Sequence, residues 1–150
     1  MKDAAERICF GKSMNAGQTC VAPDYILVPK AKEQEFVQAY TQAFSKMYPT
    51  LKDNNDYTAI ISDRQHQRLT GLLTDAKEKG AKLTEINPAN EDLSAGRKLA
   101  PVILQNMKRD MNIADEEIFG PILPIISYDT MNEAIEYVND RPRPLALYYF

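Results

Sequence analysis

Cysteine and histidine are scarce in this chain of 150 residues, which holds only Cys9, Cys20 and His66. Those three side chains make no zinc-ligand spacing, so no metal site is expected. Two cysteines without a secretory leader do not read as a disulfide framework, and both thiols are expected to be reduced. Met1 to Arg7 has neither the apolar core nor the small-residue cleavage pattern of a signal peptide, which makes the cytoplasm the expected location. No apolar run approaches the roughly 18 residues that a membrane span needs, so no membrane partner is expected. Charge of one sign is not concentrated: 18 Lys and Arg are scattered among 21 Asp and Glu, for a net charge of -3. Without a basic stripe to follow a phosphate backbone, nucleic acid is not expected as a partner. The six glycines are dispersed and form no Gly-x-Gly-x-x-Gly, which removes the usual phosphate-cradling loop.

What remains is an ordinary globular composition, 44% hydrophobic and 26% charged. A chain of this size buries roughly 68–70% of its unfolded surface, enough for one core without staples. Ala5, Ile8 and Cys9 predict a short amphipathic helix from Asp3, ending near Asn15-Ala16-Gly17, with Cys9 inward. Tyr25 to Val28 reads as a strand between Pro23 and Pro29. Phe36, Val37, Tyr40, Phe44 and Met47 recur every three or four residues and predict a helix from about Lys32 to Met47. After Pro49 and Asp53-Asn54-Asn55-Asp56, a small run at Ala59-Ile60-Ile61 leads to Ser62-Asp63-Arg64-Gln65, a capping box that opens a helix with Leu69, Leu72, Leu73 and Ala76 inward. That helix stops at Gly80. Residues 87–98 read as an exposed loop or hairpin, and Pro101 to Leu104 and Ile122 to Ile126 as strands. Thr130-Met131-Asn132-Glu133 is a second capping box, with Met131, Ala134, Ile135 and Val138 expected inward, and Leu145 to Phe150 reads as a last strand. Strands alternating with helices of this length predict an α/β fold, a mostly parallel sheet with flanking helices.

Cys20 is the residue in this pattern that asks for a chemical explanation. It follows Asn15-Ala16-Gly17-Gln18-Thr19 in a run built to turn, which can present a thiol to solvent. A free cysteine is only a few per cent thiolate at neutral pH, so a nucleophile also needs something that favours its charge. The negative carboxyl end of the preceding helix does not supply it. His66 lies among Arg64, Gln65, Gln67 and Arg68, a setting for a solvated side chain rather than a general base. On the residues alone, a core or turn thiol and an exposed nucleophile both stand, the former being the commoner behaviour of free cysteine.

Gly11 to Tyr25, GKSMNAGQTCVAPDY, resembles the catalytic-cysteine segment of the aldehyde dehydrogenase superfamily, and Glu116-Glu117-Ile118-Phe119-Gly120-Pro121 resembles its cofactor-contacting segment. The two occur in the family's order, and Asp110-Met111 and Asn139 to Phe150 extend the similarity over almost the whole chain. The branch is class-3-like, with AGQTCVAPDY most similar to the coniferyl aldehyde dehydrogenases. The resemblance implies that Cys20 attacks an aldehyde carbon, that its own N–H helps hold the resulting oxyanion, and that hydride leaves for NAD or NADP. It implies that Glu117 accepts hydrogen bonds from the nicotinamide-side ribose and that Phe119 packs beside it. Without the family, both residues read as a polar turn leading into the strand at Ile122.

The family takes its dinucleotide on a Rossmann-type domain, its water-activating glutamate from Glu-Leu-Gly-Gly-Lys, and a second oxyanion donor from an asparagine, all upstream of the cysteine. None has a counterpart here. Residues 1–150 therefore read as part of the cysteine-bearing catalytic domain, an incomplete piece of a larger enzyme that binds no NAD by itself. The expected substrate is a small-molecule aldehyde, coniferyl or another aromatic or long apolar one. A homo-oligomer, or self-association through an apolar strand edge at Leu145 to Phe150, is also expected. Two other readings stand beside this one: a stand-alone thiol esterase using Cys20, and a non-catalytic α/β interaction module in which both thiols are protected.

Overall fold

The computed structural model describes residues 1–150. Helix α1 (Lys2–Ser13) runs into a single 3-10 turn at Met14–Gly17, where Asn15, Ala16 and Gly17 take φ of 51, 52 and 74° and break the helix. Left-handed backbone is costly for a residue with a Cβ, so this is a stop enforced by three successive residues. β1 (Ile26–Pro29), α2 (Glu33–Met47) and α3 (Asp63–Glu78) follow, then β2 (Lys82–Glu85), β3 (Val102–Gln105), β4 (Ile122–Tyr128) and α4 (Met131–Asn139).

The sheet has the order β1-β4-β3-β2. β4 pairs in parallel with β1 (Ile26 opposite Ile125) and with β3 (Val102 opposite Ile122), while β2 runs antiparallel to β3 (Leu83 opposite Leu104). The inner strands are apolar runs because both faces are covered: Val102, Ile103, Leu104, Ile122 and Leu123 are all buried. The expected α/β, mostly parallel architecture is the one observed. α1 packs across α2, and the α2 stripe Phe36, Val37, Tyr40 and Phe44 is sealed in the core. Phe44 meets Tyr57 edge to face at 5.8 Å, and the Tyr57 hydroxyl donates to the Leu99 carbonyl at 2.7 Å.

Four local expectations need correction. Lys82–Glu85 is a strand that the sequence did not suggest, although residues 87–98 do lie in the loop of a hairpin, the one it makes with β3. The Ser62 hydroxyl does accept the Gln65 N–H at 3.3 Å, but the Gln65 side chain turns to Arg68 Nε instead of closing the box. In α4 only Ala134 is buried, whereas Met131 and Ile135 are about half exposed because nothing among these residues covers that face. Leu145 to Phe150 forms no strand; the sheet edges are β1 and β2, so the strand-edge route to self-association expected there has no strand behind it. No helix is long and apolar enough to cross a membrane.

Candidate active site

Beyond the left-handed residues the chain makes a separate turn, in which the Ala22 N–H donates to the Thr19 carbonyl at 3.0 Å and Cys20 occupies the first central position. Cys20 is exposed, and its own N–H has no hydrogen-bond acceptor within the chain. Gln18 holds the base of the loop: its Nε2 donates to the carbonyls of Asn15 and Ala59, and its Oε1 accepts the Ile61 N–H at 2.9 Å. The Tyr148 hydroxyl reaches back from the C-terminal run to donate to the Val21 carbonyl at 3.0 Å.

The fold brings this loop against residues 116–121. A Cβ on Gly17 would lie 2.4 Å from the Gly120 carbonyl oxygen, so the two backbones touch where only glycine permits it. The Asp24 carboxylate accepts the Ile118 N–H at 3.0 Å. From the other side Arg68 of α3 donates to the carbonyls of Glu117 and Ile118 and pairs with the Glu116 carboxylate at 3.5 Å. Glu117 is exposed, and its carboxylate has no partner in the chain, since only its carbonyl is held. Phe119 is 40% exposed at φ 50°. Two carboxylate oxygens and an aromatic face are therefore open to a polar, ring-bearing ligand.

Two other titratable groups on α1 are buried. Cys9 is buried on α1 with Sγ 3.7 Å from Ser13 Oγ, and burial pushes its thiol up to about 11. Lys12, one turn on, is buried with no hydrogen-bond partner for Nζ; burial pushes it down to about 8 against the opposing charge of Asp24. Sequence reasoning passed over Lys12, whose only signal was its place one turn after Cys9 on the inward face. His66 is half-buried on α3, with no hydrogen bond from its ring to Cys20. A cavity of about 410 Å³, lined by Lys30, Glu33, Arg109, Ile125 and Arg141 among others, lies elsewhere and includes none of Cys20, Glu117 and Phe119. No group of three or more His, Cys, Asp or Glu side chains is placed to hold a metal ion.

Residues 1–149 match the aldehyde dehydrogenase family, and the chain belongs to it. It is 55% identical over 150 residues to the probable coniferyl aldehyde dehydrogenase of Pseudomonas aeruginosa, covering all of this chain and 31% of that protein. Among solved structures it resembles the substrate-bound state of Staphylococcus aureus AldH, with a TM-score of 0.85 and 39% identity over 96% of this chain and 30% of the other. It also resembles a mutant of aldehyde dehydrogenase C from Pseudomonas syringae complexed with NAD+ and octanal, with a TM-score of 0.79 and 27% identity over 93% and 30%. The chain spans about a third of the length of the relatives it matches.

Proposed function

We propose that this chain is the cysteine-bearing part of the catalytic domain of an NAD(P)-dependent aldehyde dehydrogenase, with Cys20 as nucleophile and Glu117 and Phe119 at the cofactor. The observation that carries the reading is the joint between the two loops: an exposed thiol and an unengaged carboxylate are held on segments whose backbones touch at Gly17 and Gly120. The exposed Cys20 thiol gives up its proton to solvent water, and the thiolate sulfur adds to the aldehyde carbon. Oxygen takes negative charge in the thiohemiacetal, and the free Cys20 N–H is a donor available to it. A preorganised donor of this kind contributes on the order of 3 kcal/mol in acyl-transfer enzymes. Glu117 would accept hydrogen bonds from the ribose hydroxyls and Phe119 would offer its ring to the nicotinamide side of a bound cofactor. NAD or NADP, when bound, supplies the hydride acceptor. The acyl group then sits on Cys20 as a thioester, and its release needs a water-activating carboxylate; by resemblance to the family, this comes from a segment these residues do not include.

Likeness to the P. aeruginosa protein supports coniferyl aldehyde as the substrate. Exposed Val21 and Tyr148 beside the thiol support an apolar or aromatic aldehyde more broadly. The test uses a full-length enzyme carrying this segment. Cys20→Ala lowers NADH production with coniferyl aldehyde by roughly 10³-fold or more, because the covalent step has no substitute. Glu117→Gln exchanges one acceptor oxygen for a donor and costs roughly 1–3 kcal/mol in cofactor affinity and turnover together. Comparable turnover in the Cys20→Ala enzyme refutes the nucleophile, and an inert Glu117→Gln refutes the cofactor contact.

A further inference from the structure

The backbones of the cysteine loop and residues 116–121 meet at Gly17 and Gly120. One contact is a charged side chain, the Asp24 carboxylate on the Ile118 N–H at 3.0 Å. Ile118 is buried between two exposed residues, Glu117 and Phe119, so the orientation of its peptide groups decides where both of those side chains stand. Those groups are gripped from two sides. Arg68 of α3 takes the Glu117 and Ile118 carbonyls, and Asp24 of the cysteine loop takes the N–H between them.

Phe119 then adopts φ of 50°, a sparsely populated conformation for a non-glycine residue, which persists only where the surroundings over-determine it. A carboxylate bonding a backbone N–H is a charge-assisted contact, stronger and more directional than a neutral one. It also runs from the segment that carries the nucleophile to the segment proposed to carry the cofactor.

We propose that Asp24 is a positioning residue: by holding the Ile118 N–H, its carboxylate sets Glu117 and Phe119 relative to Cys20, and so aligns cofactor and thiol without touching either. This rests on the roles proposed above for Cys20, Glu117 and Phe119, and the experiment separates its failure from theirs. Asp24→Ala removes the acceptor, whereas Asp24→Asn keeps an acceptor oxygen at Oδ1 while losing the charge and turning Oδ2 into an NH2 donor.

In a full-length enzyme carrying this segment, three quantities are measured: NADH production, the rate of Cys20 alkylation by iodoacetamide, and hydrogen exchange of the Ile118 amide. Asp24→Ala lowers NADH production at least tenfold, speeds Ile118 exchange at least tenfold, and leaves Cys20 alkylation within twofold of the parent. Asp24→Asn returns NADH production to within about threefold of the parent. A loss of packing alone would move alkylation and turnover together, and that result overturns the proposal. So does full activity in Asp24→Ala, or equal impairment in the two folded variants. If Asp24→Ala does not fold, Asp24→Asn decides: protected Ile118 with activity kept supports the proposal, and protected Ile118 with activity lost overturns it. An inert Glu117→Gln in the same enzyme would refute the cofactor reading instead, whatever Asp24 does.

Discussion

Helix α1 and the turn that follows it each hold a cysteine, and the two thiols live in opposite conditions. Cys9 lies on the face of α1 that packs on α2, is wholly buried, and has its ionisation opposed by desolvation. Cys20 stands in a turn whose base is pinned by Gln18 and whose flank is pinned by Asp24, while the sulfur itself is open. The helix protects a side chain by periodicity, through repeated packing every three or four residues. The turn presents one by anchoring its neighbours and leaving the residue between them free. Rigidity and exposure are thus compatible, provided the polar contacts fall on the residues to either side.

The largest expected difference between the two is kinetic. Iodoacetamide at neutral pH alkylates Cys20 at least about 10²-fold faster than Cys9 in the folded chain, because Cys9 reacts only after local opening. Peptide mass spectrometry of a time course reads both rates, and equal labelling would erase the distinction.

The second difference is in pH dependence, and it sets Lys12 against its neighbour Cys9 on the same helix. Lys12 is pushed down to about 8 in the fold from an ordinary 10.5. Below pH 8 it is protonated folded and unfolded, and the full cost of a buried cation is present. As pH rises from 8 to 10.5 the folded chain gives up this proton while the unfolded chain keeps it, so stability rises. Cys9 goes from an ordinary 9.0 to about 11. Between those values the unfolded chain loses the thiol proton while the folded chain retains it, so stability falls. From pH 8 to 9 Lys12 therefore acts before Cys9 does, adding up to about 1.4 kcal/mol per pH unit. Urea unfolding at pH 8 and pH 9 should show the rise in the parent and none in Lys12→Met. A flat parent would remove the buried cation from the account.

The smallest effect sharpens the contrast between helix and turn using glycine. At Gly11 in α1 an added Cβ meets the Pro23 ring at 3.5 Å, an ordinary contact, so Gly11→Ala should stabilise the chain by about 0.5–1 kcal/mol through helix propensity. Gly17→Ala faces both a φ of 74° and the Gly120 oxygen at 2.4 Å, and should destabilise by about 1–2 kcal/mol or more. Thermal unfolding of the two variants gives opposite signs if the turn is as tightly seated as its backbone implies.

The elements carried by amphipathic stripes are legible in the sequence itself. α2 and α3 bury Phe36, Tyr40, Phe44, Leu69 and Leu72, as their spacing demands. α4 has the same kind of stripe and leaves Met131 and Ile135 exposed, because periodicity states that a face favours burial and not what will bury it. Leu145 to Phe150 has strand composition but no partner strand. Lys82–Glu85 has weak composition and a partner in β3, which is what made it a strand. At the candidate site, Cys20, Glu117 and Phe119 were reached through family resemblance rather than through local pattern. Arg68 and Asp24 escaped notice because each acts across a long stretch of chain, 50 and 94 residues to Ile118. Such pairs exist only once the fold has closed.

That separation has a consequence for how the protein is made. β1, near the start of the chain, has its parallel partner in β4, near the end, and the Asp24 to Ile118 bond spans the same gap. Contacts so distant in sequence form slowly, since loop closure must come before they contribute anything. During synthesis the Cys20 segment leaves the ribosome well before β4 exists, so the thiol spends the early life of every molecule with neither its sheet partner nor its clamp. The order of emergence therefore makes seating of the cysteine loop against residues 116–121 a late event, one that waits on the end of this segment.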